Sequence, residues 1–143
     1  HDPDSQEMEL VLENRLTEIL RLEDFVKQAG QRAGIPADEA EMVLLAVEEA
    51  VTNVIRYAYS DGEGLIRLTA ACRDGNLVFE LRDSGQAFDP TQVPKADVTL
   101  PAEERTPGGL GLLLVRRIMD EVRYQRTDGE NRLTLVKKSR LTS

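Results

Sequence analysis

Histidine is almost missing from this chain; the only one is His1, at the extreme N-terminus. Without an internal imidazole there can be no Ser-His-Asp triad, no Cys-His pair and no histidine-based metal cluster. The chain also cannot phosphorylate itself on an internal histidine. Cysteine is equally scarce. The single Cys72 excludes an internal disulfide and fits a reducing compartment, the cytoplasm. Lying in an apolar, strand-like run, Cys72 reads as a buried structural thiol rather than a nucleophile. No apolar run is long enough to span a bilayer, so no membrane segment is expected. No charged n-region followed by an apolar h-region marks a secretory leader. Clustered basic residues are lacking too. The net charge is −8, and Lys and Arg are scattered apart from Arg116-Arg117 and Lys137-Lys138. A phosphate backbone demands such clusters, so direct nucleic-acid binding is not expected. An acidic surface suits a basic protein partner or simple solubility.

What is present is ordinary globular composition: 143 residues, 41% hydrophobic and 31% charged, enough for one domain with a sizeable core. Met8 to Glu13 alternates apolar and charged residues and predicts a strand. Thr17 to Ala33 carries Ile19, Leu22, Phe25, Val26 and Ala29 at helical spacing, and Gly34 ends that helix. Pro36 and Ala37 open a second helix running to about Tyr59, followed by a turn cluster at 60–64. Leu65 to Arg73 and Leu77 to Asp83 predict strands joined by the hairpin signal Asp74-Gly75-Asn76. Residues 84–109 hold most of the prolines and little periodicity; a loop of that length is usually functional or disordered. Leu110 to about Asp120 predicts a helix. Val122 to Thr127 and Arg132 to Lys137 predict a final hairpin around Asp128-Gly129-Glu130-Asn131. Helices grouped against an antiparallel-type sheet make a two-layer α+β sandwich.

Three motifs carry chemistry. In Glu49-Ala50-Val51-Thr52-Asn53, Glu49 and Asn53 project from one helix face a turn apart, with Arg56 at the next turn. Val43, Val47, Ala50, Val51, Val54 and Ala58 form the adjacent apolar stripe. A carboxamide oxygen there can hold a hard cation such as Mg²⁺, and a carboxylate can take a proton from an attacking hydroxyl; the alternative is a solvated helix edge. In Asp83-Ser84-Gly85-Gln86-Ala87-Phe88-Asp89, Asp83 lies in register with Leu77, Phe79 and Leu81 on an apolar strand face. Burying an unpaired charge is costly. Asp83 therefore either accepts from a donor such as an adenine amino group or caps the following turn. In Pro107-Gly108-Gly109-Leu110-Gly111-Leu112, glycines before a helix let backbone N–H groups approach a phosphate; the alternative is a flexible hinge. The spacing is neither a Rossmann fingerprint nor a G-x-x-x-x-G-K-[ST] loop.

The order of these motifs resembles the GHKL (histidine-kinase-like) ATPase superfamily, over roughly residues 7–138. Within it the chain is most similar to the anti-sigma factor serine kinases, through Leu44-Leu45-Ala46-Val47-Glu48-Glu49-Ala50-Val51-Thr52-Asn53 and the run from Gly109 to Val122. The resemblance implies a two-layer sandwich with helices on one face of a mixed, mostly antiparallel sheet. It implies an ATP-dependent serine/threonine protein kinase that binds a sigma factor and phosphorylates an anti-anti-sigma partner, often as a homodimer. Carried over residue by residue, Glu49 would be the general base and Asn53 the Mg²⁺ ligand. Asp83 would read the adenine amino group of ATP, with Gly85 allowing the base to approach. Gly108, Gly109, Leu110 and Gly111 would line the phosphates. The segment from about Phe88 to Pro107 would be a nucleotide lid, and Arg105 near its end would reach the terminal phosphate or stand as an exposed loop arginine. Two positions depart from the pattern: Ala87 replaces a second glycine common in the superfamily, and Tyr57 stands where relatives often have His. Two other readings remain. One is a nucleotide-dependent binding module in which Glu49 is idle. The other is a detached histidine-kinase catalytic domain, disfavoured by the missing dimerisation helices and phosphoacceptor histidine and by Glu rather than Asn at the base position.

Overall fold

The computed structural model describes residues 7–57, 64–87 and 109–138. Strand β1 (Glu7–Glu13) is followed by a 3-10 helix (Leu16–Arg21), α1 (Leu22–Arg32) and α2 (Ala37–Tyr57). The hairpin of β2 (Leu65–Arg73) and β3 (Asn76–Asp83) comes next, then α3 (Gly109–Ile118) and the hairpin of β4 (Glu121–Thr127) and β5 (Glu130–Lys138). The five strands form one sheet in the order β1-β2-β3-β5-β4. Among the described residues every pairing in it is antiparallel.

Alternation decides which face is covered. Along β3 the residues Leu77, Phe79, Leu81 and Asp83 are buried while their neighbours are half-buried. Opposite them Ile66, Leu68 and Ala70 of β2 and Leu133 and Leu135 of β5 point to the same side. These side chains join Val26 of α1, Val43, Val47, Val51 and Val54 of α2, and Val115 and Ile118 of α3 in one core cluster. The helices therefore lie on that face, and α2 packs between α1 and α3. Each fully buried side chain of the size of Phe79 or Leu81 contributes roughly 1.5–3 kcal/mol by leaving water. The other sheet face is open and carries charged pairs such as Arg67–Glu9 and Arg82–Glu130.

Three local features differ from the sequence expectation. The predicted helix from Thr17 begins as a 3-10 turn, and only Leu22–Arg32 is α-helical. No residue of the 3-10 segment is buried, so no apolar stripe anchors a full α-helical turn there. The second hairpin is tighter than the four-residue turn expected: Glu130 and Asn131 lie on β5, and Asp128 and Gly129 alone make the turn, at φ 54° and 77°. Asp-Gly supplies both left-handed positions that a two-residue hairpin turn requires, as Asp74-Gly75 does in the first hairpin. Cys72 is half-buried rather than buried, packed partly against the core. The end of α1 follows expectation. Gly34 adopts φ 73°, its N–H donates to the Gln31 carbonyl and that of Ile35 to the Gly30 carbonyl, closing the helix in a Schellman arrangement. Ala58 and the turn expected at 60–63 lie outside the described residues.

Candidate functional site

The first group of candidate residues stands on α2. The valine and alanine stripe expected on this helix is buried from Val43 to Val54. Glu49 sits half-buried at the margin of that stripe. Asn53, one turn on, is 5% exposed, and its Oδ1 is buried without a hydrogen-bond partner. An orphaned buried amide oxygen costs about 1–3 kcal/mol, so it calls for a ligand. Arg56, at the next turn, is exposed. Glu48 points around the helix from Glu49; burial, and then the neighbouring charges of Glu49 and Glu23, push its carboxyl above the ordinary range. The Thr52 hydroxyl donates back to the Glu48 carbonyl at 2.8 Å, so it serves the helix backbone.

The second group is built around Asp83 at the end of β3. Its side chain is 3% exposed on the helix-covered face. The Gly85 N–H donates to its Oδ1 at 2.9 Å, so the turn-capping role foreseen for Asp83 is real. The Asn131 Nδ2 donates to the same oxygen at 2.9 Å. Both bonds end on Oδ1, so capping the turn does not use Oδ2. Burial pushes the Asp83 carboxyl above the usual carboxylate range; Asn131, Gly85 and the Arg126 guanidinium pull it back, while Glu130 adds to the rise. Arg126 also donates to the Gly85 carbonyl at 2.7 Å, fixing the turn from β4. Gly85 itself is buried.

The third group is described only in part. Gly109, Leu110 and Gly111 form the first turn of α3. Gly108, Arg105 and the segment from Phe88 to Pro107 lie outside the described residues. Because α2 packs against α3, the helix bearing Glu49 and Asn53 adjoins the helix that begins at Gly109. Asp83 shares the helix-covered face of the sheet with the core cluster. A separate cleft of about 570 Å³ reaches Asp83 and Ser84 past Arg67, Arg82 and Glu130. Those three residues alternate with Ile66, Asp83 and Asn131, so the cleft opens on the far side of the sheet from α2.

Sequence reasoning missed Asn131, Tyr124 and Arg126. The first was assigned to a turn, and the others carry no motif. The signal that finds them is strand register: Asn131 is the direct cross-strand partner of both Asp83 and Arg126. Among the described residues no three acidic, cysteine or histidine side chains stand together as a metal cluster. Magnesium needs no such cluster where nucleotide phosphates supply most of its oxygen ligands. The unpaired Asn53 oxygen therefore fits a magnesium–nucleotide complex.

Comparison with known proteins adds the following. A family model described as the histidine kinase-like ATPase domain matches residues 12–137. The serine/threonine-protein kinase BtrW of Bordetella bronchiseptica is 35% identical over 96 residues, covering 66% of this chain and 68% of that protein. The serine-protein kinase RsbW of Halalkalibacterium halodurans is 30% identical over 133 residues, covering 90% of this chain and 80% of that protein. A solved structure of the RsbU and RsbW domains from Mycobacterium tuberculosis superposes with a TM-score of 0.63 at 18% identity. It covers 94% of this chain, which in turn spans 32% of that longer polypeptide. At that identity the likeness is one of fold.

Proposed function

The chain belongs to the histidine kinase-like ATPase family and, within it, to the anti-sigma serine-protein kinases; from that premise we propose that it transfers the γ-phosphate of ATP to a serine or threonine of an anti-anti-sigma protein and holds a sigma factor in turn. The observation that carries the reading is on α2. Asn53 presents a buried oxygen with no partner, one helical turn from the half-buried Glu49, on a helix packed against the one that opens at Gly109. In phosphoryl transfer the protein has little covalent work; positioning and electrostatics dominate.

Each residue then has a task. Asp83, ionised and held by Asn131 and Gly85, accepts from the adenine amino group. Gly85 keeps the approach to the base free of a side chain. Asn53 Oδ1 would hold Mg²⁺, which would supply positive charge against the phosphates. Gly109, Leu110 and Gly111 at the start of α3, with Gly108 before them in sequence, would offer backbone N–H groups to the phosphates. Arg105 is the loop arginine that would answer the terminal phosphate. Glu49 accepts the proton of the attacking hydroxyl, and its half-burial leaves it open to a protein acceptor. Met42 and Leu45 lie on the same helical face as Glu49 and are 47% and 38% exposed. That apolar path on an acidic protein suits a docked protein rather than a small acceptor. Assembly as a homodimer in the cytoplasm belongs to the same reading. No described helix is long and apolar enough to cross a membrane.

The test is incubation with γ-labelled ATP, magnesium and candidate small anti-anti-sigma proteins. Label appearing on a partner serine or threonine supports the reading. A protein that binds ATP and its partners but transfers no label to any of them is a nucleotide-dependent binding module, and the kinase assignment fails.

A further inference from the structure

The buried polar cluster behind Asp83 extends beyond the bonds that hold that carboxylate. Asn131 is 4% exposed on β5. Its Nδ2 donates to Asp83 Oδ1 at 2.9 Å and to the Gln86 carbonyl at 2.8 Å, occupying both amide hydrogens. Its Oδ1 accepts from the Tyr124 hydroxyl. Turning the amide over would set its oxygen against a carboxylate and a carbonyl with no proton between them. The Gln86 carbonyl and the Tyr124 hydroxyl fix the orientation of the Asn131 amide, and in that orientation its N–H supports the ionised form of Asp83. Tyr124, partly buried against the core, fixes the amide from the other end.

We propose that Asn131, oriented by Tyr124, is the positioning residue that sets base preference in the nucleotide site, favouring a purine that presents an amino group over one that presents a keto oxygen. By engaging Asp83 Oδ1, Asn131 leaves Oδ2 as an acceptor-only edge for the base. An ionised carboxylate welcomes the amino hydrogens of adenine and opposes the keto oxygen of guanine. A protonated Asp83 would carry an O–H donor and could satisfy that keto oxygen. In so buried a place burial favours the proton, and donors to the carboxylate are what oppose it. Asn131 and the Gly85 N–H supply them directly, with Arg126 on β4 assisting and Glu130 on β5 opposing.

This inference rests on the nucleotide reading, and the experiment separates the two. Calorimetry with magnesium ADP and magnesium GDP is run on the full chain, on Asn131→Ala and on Tyr124→Phe, with the melting temperature of each recorded. Wild type should prefer ADP. Asn131→Ala should lose about tenfold in ADP affinity, as expected for one hydrogen bond to a charged group, while GDP affinity holds or rises. Tyr124→Phe keeps the packed ring and should narrow the ADP-to-GDP ratio in the same direction by a smaller factor. A purely structural role would lower both affinities together. An unchanged ratio in Asn131→Ala, or in Tyr124→Phe if Asn131→Ala does not fold, overturns this proposal alone. Wild-type protein that binds neither nucleotide overturns the nucleotide reading and this proposal with it.

Discussion

The two ends of the candidate site are built in opposite ways. Around Asp83 the fold is saturated: a backbone N–H, an amide and a guanidinium from three strands or their turns converge on one strand end. On α2 the fold is left incomplete: Asn53 buries an oxygen that no protein group bonds, and Glu49 stands half out of the core. A saturated end fixes what is recognised before any ligand arrives. An incomplete end waits for charge that the ligand brings. On the proposed reading, recognition belongs to the resting fold and reaction to the loaded one.

The largest expected effect breaks the incomplete end. Glu49→Gln keeps size and helix but removes the base, so phosphotransfer should fall roughly 10²–10⁴-fold while ATP binding survives. If Glu49 served only the fold, ATP binding and thermal stability would fall with it. Asp83→Ala attacks the saturated end and should cost about ten- to a hundred-fold in ADP affinity; calorimetry showing unchanged affinity would remove Asp83 from the base site. Asn53→Ala should abolish the part of nucleotide affinity that depends on magnesium and leave the magnesium-free part alone. A variant weakened equally with and without magnesium would deny Asn53 its role.

A milder perturbation is pH. Because burial holds the Asp83 carboxyl above the ordinary range, the folded chain binds that proton more readily than the unfolded one. This contribution to stability is complete below the unfolded pKa and disappears as pH rises through the folded one. Nucleotide binding runs the other way, since the ionised form is the acceptor. ADP affinity should therefore weaken as pH falls through the raised value, and Asp83→Asn should remove that dependence. The smallest effect sharpens the contrast from within α2. Glu48→Gln removes a carboxyl that burial already disfavours in its charged form, so activity should hold and stability should move by no more than about 0.5 kcal/mol. A dead Glu48→Gln beside an active Glu49→Gln would reverse their roles.

Sequence revealed the incomplete end better than the saturated one. The α2 stripe, Glu49 and Asn53 follow from a helical period in one continuous segment, which needs no knowledge of the rest of the chain. Asp83 was legible from strand alternation alone. Asn131 was not, because its meaning depends on pairing with a residue 48 positions away. A polar residue beside Asp-Gly reads as turn until the register is known. The 3-10 start of the first helical segment escaped for a similar reason: spacing predicts a helix, but burial decides whether its first turn is α-helical.

Residues 130 and 131 have a further consequence, for how β5 finds its place. Glu130 faces the open side of the sheet, where its Oε1 takes bonds from Arg82 at 2.7 Å and Arg132 at 3.4 Å, two guanidiniums that stand directly across the strands from each other. Asn131 faces the opposite side and ties Asp83 and Gln86. Further along β5, Leu135 and Val136 are both buried though they point to opposite faces, and only Leu135 belongs to the core cluster. A slip of one residue would turn Leu133 and Leu135 out of the core in that half of the strand. At 130 and 131 it would place a second carboxylate against Asp83 and leave two neighbouring arginines without their shared counter-charge. The hairpin is therefore held in alignment by its core leucines and by polar contacts at its turn end, and the chain cannot assemble the polar corner around Asp83 without also choosing the one correct strand pairing.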